Sequence, residues 1–141
     1  MHSSEHLKSQ LLAANRYADL VDEATLKYLE GRGISEEVAA LYSLGTVTEP
    51  MTGHENHIGW LSIPYITAMG KCVGFKFRRL DDGKPKYGQP TGATTHMYNV
   101  SDITKPYGRI VVCEGELDTV LVSGVLNIPA VGVPEIGRAH V

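Results

Sequence analysis

Apolar residues recur at three- and four-residue steps near the start of the chain: Leu7, Leu11, Ala14, Ala18 and Val21, with polar residues between them. That period belongs to a helix with one buried face, and it predicts a helix over residues 7–21. A second helix is expected over 23–30, ended where Gly31-Arg32-Gly33 breaks the period. Ser35 reads as the N-cap of a third, with Glu36 and Glu37 in a first turn that favours negative charge. Val38, Leu41 and Tyr42 would form its buried face, and Gly45 its C-cap. The first third of the chain is therefore expected to be a small helical unit.

After Pro50 the pattern changes. Residues 51–56 are polar and read as a loop, whereas 58–65 and 71–80 have the composition of strands, joined through Ala68-Met69-Gly70. Asp81-Asp82-Gly83 is a turn signal that sends 84–87 back as a hairpin partner. Residues 89–95 form a Pro/Gly/Thr loop, and 96–100 a short extended piece. The run Arg109-Ile-Val-Val-Cys113 suits a parallel strand buried on both faces. A helix over 118–125 and a strand over 130–133 complete a βαβ unit, which is normally right-handed. Residues 135–141 fit no element.

Composition adds constraints. The 141 residues are 43% hydrophobic and 21% charged, in keeping with one folded core and room for a small satellite rather than disorder. A net charge of −3 argues against a uniformly basic nucleic-acid wrapper but leaves room for a local basic groove. Cys72 and Cys113 are far apart, so they build neither a disulfide framework nor a zinc ribbon, and buried reduced thiols are expected. No apolar run reaches the length of a membrane span and no signal-peptide core is seen, which makes the cytoplasm the expected location.

Two segments carry candidate chemistry. Between the apolar strand and its helix lies Glu114-Gly115-Glu116-Leu117-Asp118. In an open α/β sheet, polar residues just past a strand's C-terminal end line the ligand crevice. Glu114 and Asp118 could both face it and hold a hard cation such as Mg²⁺; equally, they could decorate a helix N-terminus, where acids are welcome in any case. The second segment is the basic hairpin carrying Lys71, Lys76, Arg78, Arg79, Lys84 and Lys86. Alternation puts Lys76 and Arg78 on one face and Arg79 on the other, and folding back could bring Lys86 beside the first. Such a surface suits phosphates, or is an ordinary solvated hairpin. His54 and His57 lack a further ligand at zinc spacing and read as polar loop residues. Trp60 and Tyr65 read as core or rim.

Residues 109–120 resemble the first signature of the Toprim domain shared by primases, some topoisomerases and some nucleases: an apolar strand, Glu-Gly-x-x-Asp, then a helix. Gly74-Phe75-Lys76-Phe77-Arg78-Arg79-Leu80 is similar to the Gly-Phe-x-x-Arg-x-Leu element of bacterial-type (DnaG-like) DNA primases. Lys84-Pro85-Lys86-Tyr87-Gly88-Gln89-Pro90 is similar to their Pro-Lys-Tyr-x-x-Ser-Pro element, with Gln89 in place of serine. Tyr28-Leu29-Glu30-Gly31-Arg32-Gly33-Ile34 and Leu44-Gly45 resemble their helical entry.

The resemblance implies an α+β to α/β architecture. Its parts would be a primase-core N-terminal subdomain over 1–107, with helical entry 1–47 and basic strand and hairpin region 57–107, then a truncated Toprim domain over 108–141. It implies Glu114 as the catalytic or metal-site glutamate with Asp118 supporting it, Mg²⁺ or Mn²⁺ as cofactor, and Arg78, Lys86, Lys76 and Lys84 as nucleic-acid or nucleotide contacts. His96 falls where such primases often carry a basic residue. The implied activity is synthesis of RNA primers from ribonucleotides on a single-stranded DNA template, with a replicative helicase among the possible partners.

Two departures qualify that expectation. No cysteine set is present for the zinc-binding domain with which primases begin, and none of Asp19, Asp22, Asp81, Asp82, Asp102 and Asp118 forms the Asp-x-Asp pair of a second Toprim strand. A phage gene split in two, acting in the bacterial host cytoplasm, would place the missing acids on a second polypeptide and leave this chain inactive alone. A frameshifted or truncated gene leaves the same pattern. The alternative to the enzyme is a non-catalytic nucleic-acid- or replisome-binding remnant.

Overall fold

The computed structural model describes residues 3–93, 96–106 and 108–133; the readings for 94–95 and 135–141 fall outside them. Helix α1 (Ser4–Asp19) starts where the Ser3 hydroxyl accepts from the His6 amide, with Glu5 in the first turn and Arg16 in the last. Asp22 caps α2 (Glu23–Gly31) through the Thr25 amide, a cap the sequence reading does not name. Ser35 caps α3 (Glu36–Leu41) through the Val38 amide, as the sequence predicts. None of these helices is long and apolar enough to cross a membrane.

Strands β1 (Gly45–Thr46), β2 (Leu61–Ile66), β3 (Cys72–Arg78) and β4 (Tyr87–Gly88) form an antiparallel sheet in chain order. Alternation along β3 gives the sheet two apolar faces. Phe75 and Phe77 pack with Ala13, Ala14 and Tyr17 of α1. Leu61 and Ile63 pack on the other side with Leu29, Ile34, Leu44, Leu117 and Val120. The sheet is thus covered on both faces by helices.

Strand β5 (Val111–Glu114) leads through Gly115 into α4 (Glu116–Val120), a π-helical turn over Leu121–Val125, and β6 (Ala130–Val133), which pairs with β5 in parallel. The backbone of Tyr98 exchanges hydrogen bonds with Gly132 on the far side of β6, at 2.8 and 3.0 Å. Asp102, almost wholly buried in a 3₁₀ turn (Val100–Thr104), locks this unit. Its carboxylate accepts from the Ser123 hydroxyl and the Ala130 amide and pairs with Lys105 at 2.8 Å.

Several expectations need correction. The buried stripe of α1 is Gln10, Ala13, Ala14 and Tyr17, rotated from the apolar one, because helix and sheet meet closely there. Gly45 lies in β1, not at a helix end; a Cβ on it would sit 2.2 Å from the Tyr17 carbonyl group. Leu41 is 78% exposed, and Ala39 is buried in its place. The strand expected to be buried on both faces is open: Val112 of β5 is 60% exposed, since no described strand pairs with its outer edge. β6, by contrast, is flanked by β5 and Tyr98.

Candidate active site

The antiparallel register decides which basic side chains meet. In β3, Lys76 lies opposite Ile63 and Arg78 opposite both Leu61 and Tyr87, so these residues share one face of the sheet. The Tyr87 ring centre is 5.0 Å from the Lys76 ammonium and 5.2 Å from the Arg78 guanidinium. Tyr28 of α2 approaches the same guanidinium at 5.3 Å. Arg78 also donates to the Arg79 carbonyl, and its buried Nε has no hydrogen-bond partner among the described residues.

Lys86 is not beside that face. Its carbonyl accepts from the Arg79 amide, one position past the Arg78–Tyr87 pair, which puts it with Arg79 on the opposite side. Arg79 there stacks on Trp60 and pairs with Asp81 at 2.5 Å. Lys84 and Lys86 are both exposed. Tyr87 therefore occupies the place expected for Lys86, and a register count along the hairpin was the signal that would have revealed it.

A cleft of about 560 Å³ opens against this face. Its opposite wall is the β5–α4 turn: Glu114, Gly115, Glu116, Leu117 and Asp118. Gly115 adopts φ 100°, a conformation side chains resist, and this lets β5 break sharply into α4. Glu114 is exposed at the C-terminal end of β5, opposite Val133. Asp118 is at the mouth, 60% exposed and 3.5 Å from Arg32 of the α2–α3 connection. The structure thus brings Glu114, Asp118 and Lys76 to one cleft, with His96 and Tyr65 also lining it.

Glu116, at an open position of the Glu-Gly-x-x-Asp motif, lies inside. It is only 6% exposed, accepts a hydrogen bond from Tyr65 and stands 3.5 Å from the Lys76 ammonium. Burial, followed by the adjacent Glu116 charge, raises the Tyr65 phenol well above its ordinary value; the same causes raise Tyr98. Nothing in a sequence pattern distinguishes a buried glutamate in the first turn of a helix from a solvated one.

Among the described residues no group of three or more His, Cys, Asp and Glu is placed to hold a metal ion. The donors Glu114 and Asp118 suit a hydrated Mg²⁺, which takes few protein carboxylates, but they do not make a full protein cage. His54 and His57 are not metal candidates. His54 is buried, hydrogen-bonded to the Tyr17 hydroxyl at 2.8 Å, and His57 stacks on Phe77. Cys72 is fully buried, and burial pushes its thiol up to about 12; Cys113 is half-buried.

No protein-family model matches the chain. Over 80 residues, 54% of its length, the chain is 36% identical to the Gene 57 protein of Mycobacterium phage D29, 52% of which the match covers. Its fold matches part of a structure of the Aquifex aeolicus primase that comprises zinc-binding and RNA polymerase domains, with a TM-score of 0.75 and 17% identity, over 93% of this chain and 42% of that one. It matches a DnaG primase catalytic domain bound to single-stranded DNA with a TM-score of 0.68 and 20% identity, over 95% and 57% respectively. The chain spans about half the length of these relatives. The likeness establishes the fold, that of part of a DnaG-type primase catalytic core.

Proposed function

We propose that the chain is the front part of a DNA primase that makes RNA primers on single-stranded DNA, and that a second polypeptide carries the rest of its Toprim domain. One arrangement carries this reading: the Glu114–Asp118 turn and the Lys76–Tyr87 face line the same cleft. The primase-core fold supports it, as does the single-stranded DNA held by a solved domain of that fold. In this reading residues 1–107 serve as the N-terminal subdomain and 108–141 as the start of the Toprim domain, at work in a bacterial host's cytoplasm.

Each residue has a task. Lys76 and Arg78, held against Tyr87, attract phosphates of template or ribonucleotide, and Lys84 and Lys86 extend the positive surface around the hairpin. Tyr87 offers an apolar surface to a base. Glu114 would hold Mg²⁺ or Mn²⁺ with Asp118 in support, and the ion when bound supplies charge neutralisation for nucleotidyl transfer. Two carboxylates are too few for the pair of ions that such transfer employs, so acids of the second chain complete the set.

The test is incubation with single-stranded DNA, ribonucleotides and Mg²⁺ or Mn²⁺, with and without a polypeptide supplying an Asp-x-Asp Toprim strand. Primers are expected only in the mixture, and Glu114→Gln should abolish them while leaving assembly intact. Template-dependent products from this chain alone would overturn the need for a partner. An assembled mixture that makes no primers would overturn the primase reading.

One observation favours a second reading, a non-catalytic nucleic-acid- or replisome-binding module. Asp118 is engaged by Arg32 and Glu116 by Lys76, leaving Glu114 as the acid of the cleft without such a pair among the described residues. That reading expects DNA binding unaltered by Glu114→Gln and no synthesis with any partner.

A further inference from the structure

The lysine and arginine that line the cleft each face an acid from the opposite wall. Arg32 pairs with Asp118 and Lys76 with Glu116, both at 3.5 Å. The two pairs differ in burial. Asp118 is 60% exposed, so water screens its pair with Arg32 and little is lost when it opens. Glu116 is 6% exposed and fixed by the Tyr65 hydroxyl, so its charge acts through a poorly screened interior. Both Lys76 and Glu116 occupy open positions of the motifs they sit in, Gly-Phe-x-x-Arg-x-Leu and Glu-Gly-x-x-Asp, so the family resemblance gives Glu116 no part in the cleft.

The ammonium of Lys76 has three donors, and its 3.5 Å separation from Glu116 is longer than a tight charge-assisted hydrogen bond. It stays half-buried at the cleft wall over the Tyr87 ring. We propose that Glu116 is a built-in competitor for Lys76: it holds the ammonium in the cleft and offsets its charge, so that a phosphate entering the cleft must share Lys76 with it. Glu116 thereby sets how tightly the cleft holds a phosphate chain. This deepens the primase reading by assigning its phosphate subsite a positioning residue, but the anion binding it describes is measurable without synthesis.

The experiment measures binding of inorganic tripolyphosphate to the full chain. Glu116→Gln keeps the shape and an acceptor for Tyr65 while removing the charge, and it should tighten binding by roughly fivefold or more. Glu37→Gln, which removes an exposed acid outside the cleft, should change it by less than about twofold. In the double variant Glu116→Gln/Lys76→Met, which leaves no buried charge unpaired, the gain should vanish. Binding that is unchanged or weaker in a folded Glu116→Gln protein overturns the proposal, as does a gain that persists without Lys76. If thermal unfolding shows that Glu116→Gln does not fold, Glu116→Asp carries the test. It retracts the charge by one methylene and should tighten binding by a smaller factor, and no change overturns the proposal. Absence of tripolyphosphate binding in every folded variant also overturns it, while leaving the primase reading to the primer assay. Failure of the primer assay leaves a Glu116→Gln gain standing.

Discussion

Tyr87 stands opposite Arg78 in the β3–β4 register, and its ring centre lies 5.2 Å from the guanidinium, which Tyr28 approaches at 5.3 Å. Arg78 is thus a packing residue as well as a charge. Arg78→Ala should lower stability by about 1–2 kcal/mol through the lost cation–π contacts, while exposed Lys86→Ala should change it by less than about 0.5 kcal/mol. Urea unfolding of the two variants measures both; equal effects would contradict this division.

The same pair of variants separates the faces of the hairpin in binding. Arg78→Ala should weaken single-stranded DNA binding and flatten its dependence on salt by up to about one unit of logarithmic slope. Lys86→Ala, on the opposite face, should have the smaller effect. A larger loss for Lys86→Ala would place the DNA on the other face of the hairpin.

Acid should destabilise the protein through His54. Burial, reinforced by the neighbouring His57, lowers its pKa to about 4, so it is neutral in the folded state, whereas the unfolded chain titrates near 6.5. The proton then binds the unfolded state preferentially, and stability falls as pH drops from about 6.5 toward 4. His57, also lowered by burial, adds in the same direction. His54→Phe should flatten the urea midpoint over that window. An undiminished slope in this variant would assign the effect to other groups.

Burial works against the Asp102 charge, but hydrogen bonds from Lys105, Ser123 and the Ala130 amide outweigh it and hold the carboxyl below its ordinary value. Asp102→Ala should cost about 1–3 kcal/mol, because it strands buried donors. Hydrogen exchange at the Ala130 amide should accelerate more than at Phe75. Uniform acceleration would show that Asp102 stabilises the whole fold rather than the β5–β6 unit.

The open side of β5 should promote association. Val112 is 60% exposed on a strand whose outer edge has no described neighbour. Val112→Lys should shift the isolated chain toward monomer in sedimentation without altering its unfolding midpoint. An unchanged distribution would place the contact elsewhere.

Features governed by neighbours along the chain were legible from residue order. Ser35 caps α3 because a hydroxyl three residues before an amide needs nothing distant, and the apolar run before Glu114-Gly115 becomes β5 because Gly115 can take the turn that follows. Which face each element buries was decided in three dimensions. Tyr17 rather than Leu7 is fully buried in α1 because Gly45, distant in sequence, lets the sheet approach that side of the helix. Tyr87 rather than Lys86 meets Arg78 because side chains alternate at every residue, so one step of register exchanges the faces. Glu116 lies buried against Lys76 because α4 packs Leu117 and Val120 on Leu61 and Ile63 of β2, and Lys76 stands opposite Ile63, a contact between residues 40 positions apart that no local pattern encodes.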